Sequence, residues 1–316
     1  MFKSVFTMAV AAIGLLSIAT GTAEAQTLRF GAGQQGSQNY GVNAALAQAI
    51  KSELGIEATV QSFGGPSTYL PLFGAGELDM AALVTPDIGD AIRGKGPFEG
   101  MAQTSLKLVA PLLPSPVGLM VRADSGIKTI ADLKGKRMAW GIPAQASLLP
   151  YFEGALANGG VTPKDVELVP VASVRNGVTA LTAGQVDATL FALRGGAVVE
   201  ADAAVGGIRW LPFDTSAEAV ARMQAVAPEA YIMTIPGTAG VVGMKETTAT
   251  MAYDYVLMVR EGVDAKIVAD VATLLRDKAS EIAASNPVLK ELTAATVTRP
   301  YPSLPSHPAA AAMLGK

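Results

Sequence analysis

The stretch RADSGIKTIADLKGKRMAWGIPAQAS, Arg122 to Ser147, decides the fold. It leaves an apolar run, Val117 to Val121, that reads as a strand, and opens with a charged turn at Asp124, Ser125 and Gly126. Thr129 and Asp132 have the T-x-x-D spacing in which the first side chain caps a helix and the second faces back toward it, so a short helix ended by Gly135 is predicted. Arg137 to Trp140 reads as a second strand, and Gly141 to Ser147 carries the chain from its carboxyl end into a helix predicted from near Leu148. In an open α/β sheet, backbone N–H groups at such a helix start converge outside the strand ends, where a ligand can sit.

The same unit recurs on both sides. Leu28 to Phe30 enters a glycine-rich turn, Gly31 to Ser37, before a helix predicted over Asn43 to Leu54. Thr59 to Phe63 runs into Gly64-Gly65-Pro66-Ser67. Gly76 to Val84 reads as a turn and a buried strand, with Thr85-Pro86-Asp87 opening a helix over Ile88 to Arg93. Leu106 to Leu113 is predicted as a further buried strand, separate from Val117 to Val121. Beyond Ser147, strands are predicted at Val166 to Val171, Val186 to Phe191 and Trp210 to Phe213, and helices at Asn176 to Ala183 and Ala217 to Ala225. Tyr231 to Pro236 and Tyr253 to Val259 read as extended, Asp264 to Ala284 as a long amphipathic helix, and the proline-rich tail Arg299 to Pro308 as a strap over an existing surface. Repeated strand–helix units indicate an α/β protein with largely parallel sheets, and no repeat of fixed period is apparent.

The first residues read as an export signal. Lys3 supplies a positive end, Val5 to Ala19 an apolar segment and Ala23-Glu24-Ala25 an A-x-A cleavage site, which predicts cleavage after Ala25 and a periplasmic address. The 291 residues that remain are enough for two lobes with cores of their own. Charged residues make up 16% and the net charge is −3, which gives no electrostatic case for nucleic acid. A mean hydropathy of +0.35 reflects abundant Ala, Val and Leu, since no later apolar run reaches spanning length.

The chemistry that is excluded is informative. The chain has no cysteine and a single histidine, His307, set between prolines in the tail, so thiol catalysis and histidine-based triads have no residues to use. Gly31-x-Gly33-x-x-Gly36 matches a dinucleotide fingerprint, but the strand near Thr59 to Phe63 ends in glycines where an acidic residue would be required. Gly135-Lys136 lacks the rest of a phosphate-binding loop, no metal or cofactor signature is found, and neither a metal nor a cofactor is expected. What remains is a set of strand-to-helix loops suited to a small ligand: 33–40, 64–69, 85–87, 141–147 and 191–196.

Several segments in shared order resemble TAXI-type solute receptors, the extracytoplasmic binding proteins of TRAP transporters. They are DSGIKTIADLKGKRMAWG within the opening stretch, GAGQQGSQNYG at Gly31 to Gly41, GELDMAAL at Gly76 to Leu83, the Asp87 position, GQVDATLFALRGG at Gly184 to Gly196, and PSHPAAA at Pro305 to Ala311. The resemblance implies an α/β, two-lobed periplasmic-binding-protein fold of type II with a ligand cleft between lobes. It implies a first lobe of residues 26–118 and 252–316 and a second of 119–251. It also implies a receptor without catalytic activity, a monomer, that binds a small organic anion such as a carboxylate and delivers it to a TRAP-type membrane permease. A receptor for another transporter class, a periplasmic sensor, and an enzyme using a carboxylate such as Asp87 are the alternatives.

The candidate ligand-binding residues follow from the loops and the resemblance together. The first lobe offers Gly36, Ser37, Tyr40, Gly65, Ser67 and Tyr69. Asp87 is added as a residue that either caps its helix or holds the hinge. The second lobe offers Ala144, Gln145, Ser147, Arg194, Gly195 and Tyr231. Where the family has G-S-x-x-N, this chain has Pro66 and Tyr69 at the Ser and Asn positions, and where the family has P-G-S-G it has Pro143-Ala144-Gln145-Ala146. A ligand other than glutamate is therefore expected, against an aromatic wall of Phe63 and Tyr69. Arg194 is placed either to grip a carboxylate bidentately or to pair with a nearby carboxylate of the protein.

Overall fold

Two long antiparallel strands tie together two sets of parallel strands. The computed structural model describes residues 27–313, so the expected signal segment lies outside the described residues. One sheet path runs β2-β1-β3-β10-β4-β7-β5-β6, with β8 on β4 and β9 on β10. On one side β1 (Leu28–Ala32) pairs in parallel with β2 (Ala58–Ser62) and β3 (Met80–Val84), with α1 (Gln38–Leu54), α2 (Pro66–Gly74) and α3 (Thr85–Arg93) as crossovers. On the other, β5 (Arg137–Trp140) pairs in parallel with β6 (Glu167–Pro170) and β7 (Ala188–Ala192), with α4 (Leu149–Asn158), α5 (Val174–Thr182) and α6 (Gly196–Val205) around them.

β4 (Leu106–Arg122) and β10 (Thr248–Arg260) serve both sides. The last residues of β10 pair with β3, and its first residues with β9 (Tyr231–Ile235). The end of β4 pairs with β7 and with β8 (Ile208–Trp210). Leu106 to Leu113 and Val117 to Val121 are thus one strand and not two. The ladder with β10 shifts register after Tyr255 and after Leu257, on either side of the Val256–Pro111 pair, and such irregularities are where a strand tolerates a residue without N–H. β3 and most of β7 are buried on both faces, as strands under helices on both sides must be.

Local rules account for most of the elements. Thr129 and Asp132 form the predicted reciprocal cap, with Asp132 Oδ2 accepting from Thr129 N at 2.9 Å, although the turn they start is a short 3-10 segment, Ile130–Leu133. α1 starts five residues before Asn43, because Ser37 Oγ accepts from Tyr40 N at 3.1 Å and caps it. α6 has no counterpart in the reading of the sequence, since Ala and Val lie all round it and its two acids, Glu200 and Asp202, mark no helical period; it ends at Gly206 with φ +71°. The tail wraps as expected: Leu108 N donates to Pro305 O at 2.7 Å and His307 N to Leu108 O at 2.8 Å. Helices α7 (Ala217–Val226), α8 (Ala265–Ser285), α9 (Ala294–Thr298) and α10 (Pro308–Met313) complete the order. Among the described residues no helix is long and apolar enough to cross a membrane.

Both sides use one device to pin the first parallel strand to the third. Arg29 N and Nε donate to Asp79 Oδ2 at 3.0 and 2.8 Å, and Arg137 N and Nε donate to Asp187 Oδ2 at 2.9 and 3.1 Å. Each arginine also reaches the carbonyl of a left-handed glycine, Gly76 or Gly184. Asp79 is almost fully buried and accepts from Arg260 as well, at 3.0 Å. Removing one partner of such a group strands buried charge, so Asp79→Ala is expected to lower stability by about 3 kcal/mol in denaturant unfolding.

Candidate functional site

The parallel strands of both sides point their carboxyl ends at one another, and the loops that leave them meet around an enclosed cavity. β1 delivers Gly33, β2 delivers Pro66 and β3 delivers Val84 and Asp87. From the other side β5 delivers Gln145, β6 delivers Val174 and β7 delivers Phe191. Ser115 and Val117 of β4, with Tyr253 and Tyr255 of β10, close it where the long strands cross. This is the position at which open α/β sheets hold ligands. The enclosed space is about 60 Å³, well below the roughly 150 Å³ that accepts benzene.

Direct hydrogen bonds seal the rim across the two sides. Gln145 Nε2 donates to Gly64 O at 2.8 Å while its Oε1 accepts from Val174 N at 3.1 Å, so one amide bridges both halves. Ala197 N donates to Gly36 O at 2.9 Å, and Ser173 Oγ donates to Gln34 Oε1 at 2.9 Å. Ala146 N reaches Ser67 Oγ at 3.4 Å, at the edge of bonding distance. Gly36 takes φ +83°, a conformation glycine adopts without penalty, to present its carbonyl. Gly65 packs so closely on the opposite loop that a Cβ there would lie 2.2 Å from both Ala144 O and Gln145 Nε2.

Most polar groups of the lining are already partnered. Ser37 caps α1, Asn39 Oδ1 accepts from Gly33 N at 2.7 Å and its Nδ2 donates to Ala82 O, and Ser115 Oγ donates to Gln38 Oε1 at 3.3 Å. Two buried atoms are left over, Asp87 Oδ1 and Gln38 Nε2. The Asp87 carboxyl is 1% exposed, and burial, with the Asp90 charge a turn away, pushes it up to about 8. Burial likewise raises the Tyr253 and Tyr255 hydroxyls above their usual range. Among the described residues no Lys, Arg or His lines the cavity, so an empty site at pH 7 is close to neutral.

The candidate residues divide clearly by position. Ser37, Asp87 and Gln145 line the cavity; Gly36, Gly65, Ser67 and Ala144 form the closed rim. Asp87 is not a helix cap: Val84 holds that position in α3, and Asp87 lies on the first turn facing the cavity. Gly195 starts α6 and leaves room for the Phe191 ring, which a Cβ would meet at 2.5 Å. Ser147 is buried beside the site with an unpartnered hydroxyl.

Four residues lie elsewhere. Arg194 Nη2 donates to Glu291 Oε1 at 2.5 Å, so it meets a carboxylate of the chain near the surface groove that Tyr40 also lines, and neither residue lines the cavity. Tyr231 donates to Asp254 Oδ1 at 3.0 Å on the opposite face of β10. Tyr69 is fully buried in the core of the first side, its ring 5.6 Å from that of Phe63. The aromatic wall is therefore not Phe63 and Tyr69 but Phe152, Phe191, Tyr253 and Tyr255. Reading the loops missed Gln38, Asn39, Ser115, Tyr253 and Tyr255; the available signals were a serine inside a buried run and two tyrosines at the i, i+2 spacing that puts them on one face of a strand.

Comparison with known proteins agrees with this architecture. Residues 30–314 match the NMT1-like family. A structure described as a periplasmic transporter superposes with a TM-score of 0.56 at 16% identity, over 85% of this chain and 87% of the other. The substrate-binding protein of an amino acid ABC transporter gives 0.51 at 15% identity, over 83% and 99%. An ancestral arginine-binding protein bound to arginine gives 0.52 at 14%, over 82% and 97%. At these identities the likeness concerns the fold, and the fold is the α/β, two-lobed, type II arrangement of periplasmic binding proteins.

Proposed function

We propose, from the premise that this chain belongs to the NMT1-like family, that it is an extracytoplasmic receptor that closes two lobes around a small solute and presents the closed form to a membrane permease. The observation that carries this reading is the cavity sealed by hydrogen bonds between loops of opposite sheet halves, contacts that can part without breaking either half's own strand ladder. Residues 26–118 and 252–316 form one lobe and 119–251 the other, and the lobes bend about β4 near Ser115 to Val117 and β10 near Met251 to Tyr253. Export to the periplasm follows from the signal segment.

A TRAP-type permease is the partner the sequence resemblance favours. The family and the fold also suit an ABC-type permease. No catalytic step is assigned: Asp87 has Asp90 a turn away, but among the described residues no side chain is hydrogen-bonded to its unpartnered Oδ1 as a nucleophile or acid partner would be. The carboxylate ligand implied by the resemblance has no cationic side chain to meet it here, so this reading stops at a small organic solute. Mass spectrometry of material released on denaturing the protein from its native host should yield one small compound in equimolar amount. Vesicles carrying a TRAP-type or an ABC-type permease should take that compound up only when the chain is added. No released compound, and no uptake with either permease, would refute the receptor reading.

Arg194 then acts on closure instead of on the ligand. It belongs to the second lobe and Glu291 to the first, and both are mostly shielded from solvent. Arg194→Ala is expected to weaken binding of any solute roughly tenfold, about 1.4 kcal/mol, in isothermal titration. An arginine that clamped the ligand directly would abolish binding of anions alone.

A further inference from the structure

Asp87 is an odd residue to bury in a cavity where, Gln38 Nε2 apart, most other polar groups satisfy one another. A carboxyl without a partner is costly in an apolar surround, and an amide or hydroxyl would hold a neutral ligand without a titrating group. Its neighbours in the lining are ring faces: Tyr253 and Tyr255 from β10, Phe152 from α4 and Phe191 from β7. A buried acid inside a set of aromatic rings suits a cation, which gains from the carboxylate and from the ring quadrupoles together. Among the described residues the cavity lining also has no lysine, arginine or histidine that would compete for the acid or attract an anion.

Building on the receptor reading above, we infer that the solute is a compact organic ammonium ion, its charge on Asp87 and its alkyl groups against Phe152, Phe191, Tyr253 and Tyr255. The small space between the closed loops favours a compact ligand, and the unpartnered Gln38 Nε2 offers a donor for one acceptor such as a hydroxyl. Binding couples to a proton. Asp87 is protonated in the empty site at neutral pH and must ionise to hold the cation, so one proton leaves to solvent as the ammonium enters.

The groups packed round Asp87 are Asp90 on its own helix, Tyr69 on α2, Tyr151 on α4, and Tyr253 and Tyr255 on β10. Farther out, Glu229 lies 3.5 Å from Tyr151 Oη and 3.9 Å from Arg93. The tyrosines are all raised by burial and stay neutral over the range that matters.

The test is thermal unfolding and titration calorimetry of the full exported chain, refolded to strip any carried ligand. The probes are methylammonium, tetramethylammonium and ethanolamine, against acetate, propionate, acetamide and tert-butanol. An ammonium probe should raise the unfolding midpoint, bind at least a hundredfold more weakly to Asp87→Asn, and tighten about tenfold per pH unit from about 5 to about 8 before levelling off. The pH slope is read on the native chain and does not depend on the variant folding. Stabilisation by acetate or propionate with affinity falling above pH 8, or by the neutral probes with no pH slope, overturns the cation and leaves the receptor standing. Silence from every probe, with no small molecule released from the host-purified protein, overturns both.

Discussion

Asp87→Asn should make the empty protein more stable, by roughly 5 kcal/mol at pH 8 in denaturant unfolding, with the gain shrinking to near zero by about pH 4. The reason is the linkage between folding and a buried acid. Burial raises the folded carboxyl from 3.8 to about 8, so between those values the folded chain keeps a proton that the unfolded chain gives up. The stability of the native chain that depends on this group is complete below about pH 4, falls as the pH rises toward about 8, and is level above it. Asparagine has the same shape and no proton to lose, so its curve lacks that decline. A gain in stability with a loss of binding is the signature of a group retained for a ligand. A residue that merely held α3 in place would lose stability when changed.

The second large effect is expected at Gly65→Ala. The added methyl would sit 2.2 Å from Ala144 O and Gln145 Nε2, both on the facing lobe, and nothing but separation of the lobes relieves that overlap. Gly65 has φ 168°, extended backbone that alanine adopts freely, so the folding of its own lobe is not at issue. Overpacking of this kind costs about 1–3 kcal/mol. It should appear as a roughly tenfold to hundredfold loss of affinity, with the unfolding midpoint of the ligand-free protein nearly unchanged. Gly64→Ala is the matched control, because a Cβ there meets only an ordinary contact, Ala144 Cβ at 3.6 Å. Equal affinity in the two variants would mean that the sealed rim is not the binding form.

How much of this was legible in the sequence depended on whether a residue's role is set locally. The strand–loop–helix units were, because glycines, caps and apolar runs mark them within a few residues: Thr129 and Asp132 cap as their spacing says, and Gln145 lies at the site because its loop follows a strand end. The rim was half legible. Gly36, Gly65, Ser67 and Ala144 belong to the right loops, but whether they meet a ligand or the other lobe depends on residues far along the chain, 79 positions for Ser67 and Ala146 and 139 for Ser173 and Gln34.

The least legible part was what the long strands contribute. Ser115, Tyr253 and Tyr255 look like interruptions in buried strands, and only the crossing of β4 with β10 turns them into a floor. Arg194 shows the opposite error. As an isolated cation beside glycines it invited an anion, whereas its partner is Glu291, 97 residues on, and the charge that does face the cavity is an acid.

The central claim, closure of two lobes over this cavity, is tested most directly by a distance between them. The chain has no cysteine, so spin labels can be placed singly at introduced Ser52→Cys in α1 and Lys164→Cys in the second lobe, both exposed. Double electron–electron resonance would then be recorded with each ammonium, carboxylate and neutral probe added in turn. The account predicts that one class of solute collapses the distribution to the short distance of the closed form in the native chain, and that Gly65→Ala keeps the longer distance under the same conditions. A single narrow distance, the same in both chains and unmoved by every solute and by extract of the native host, would contradict it.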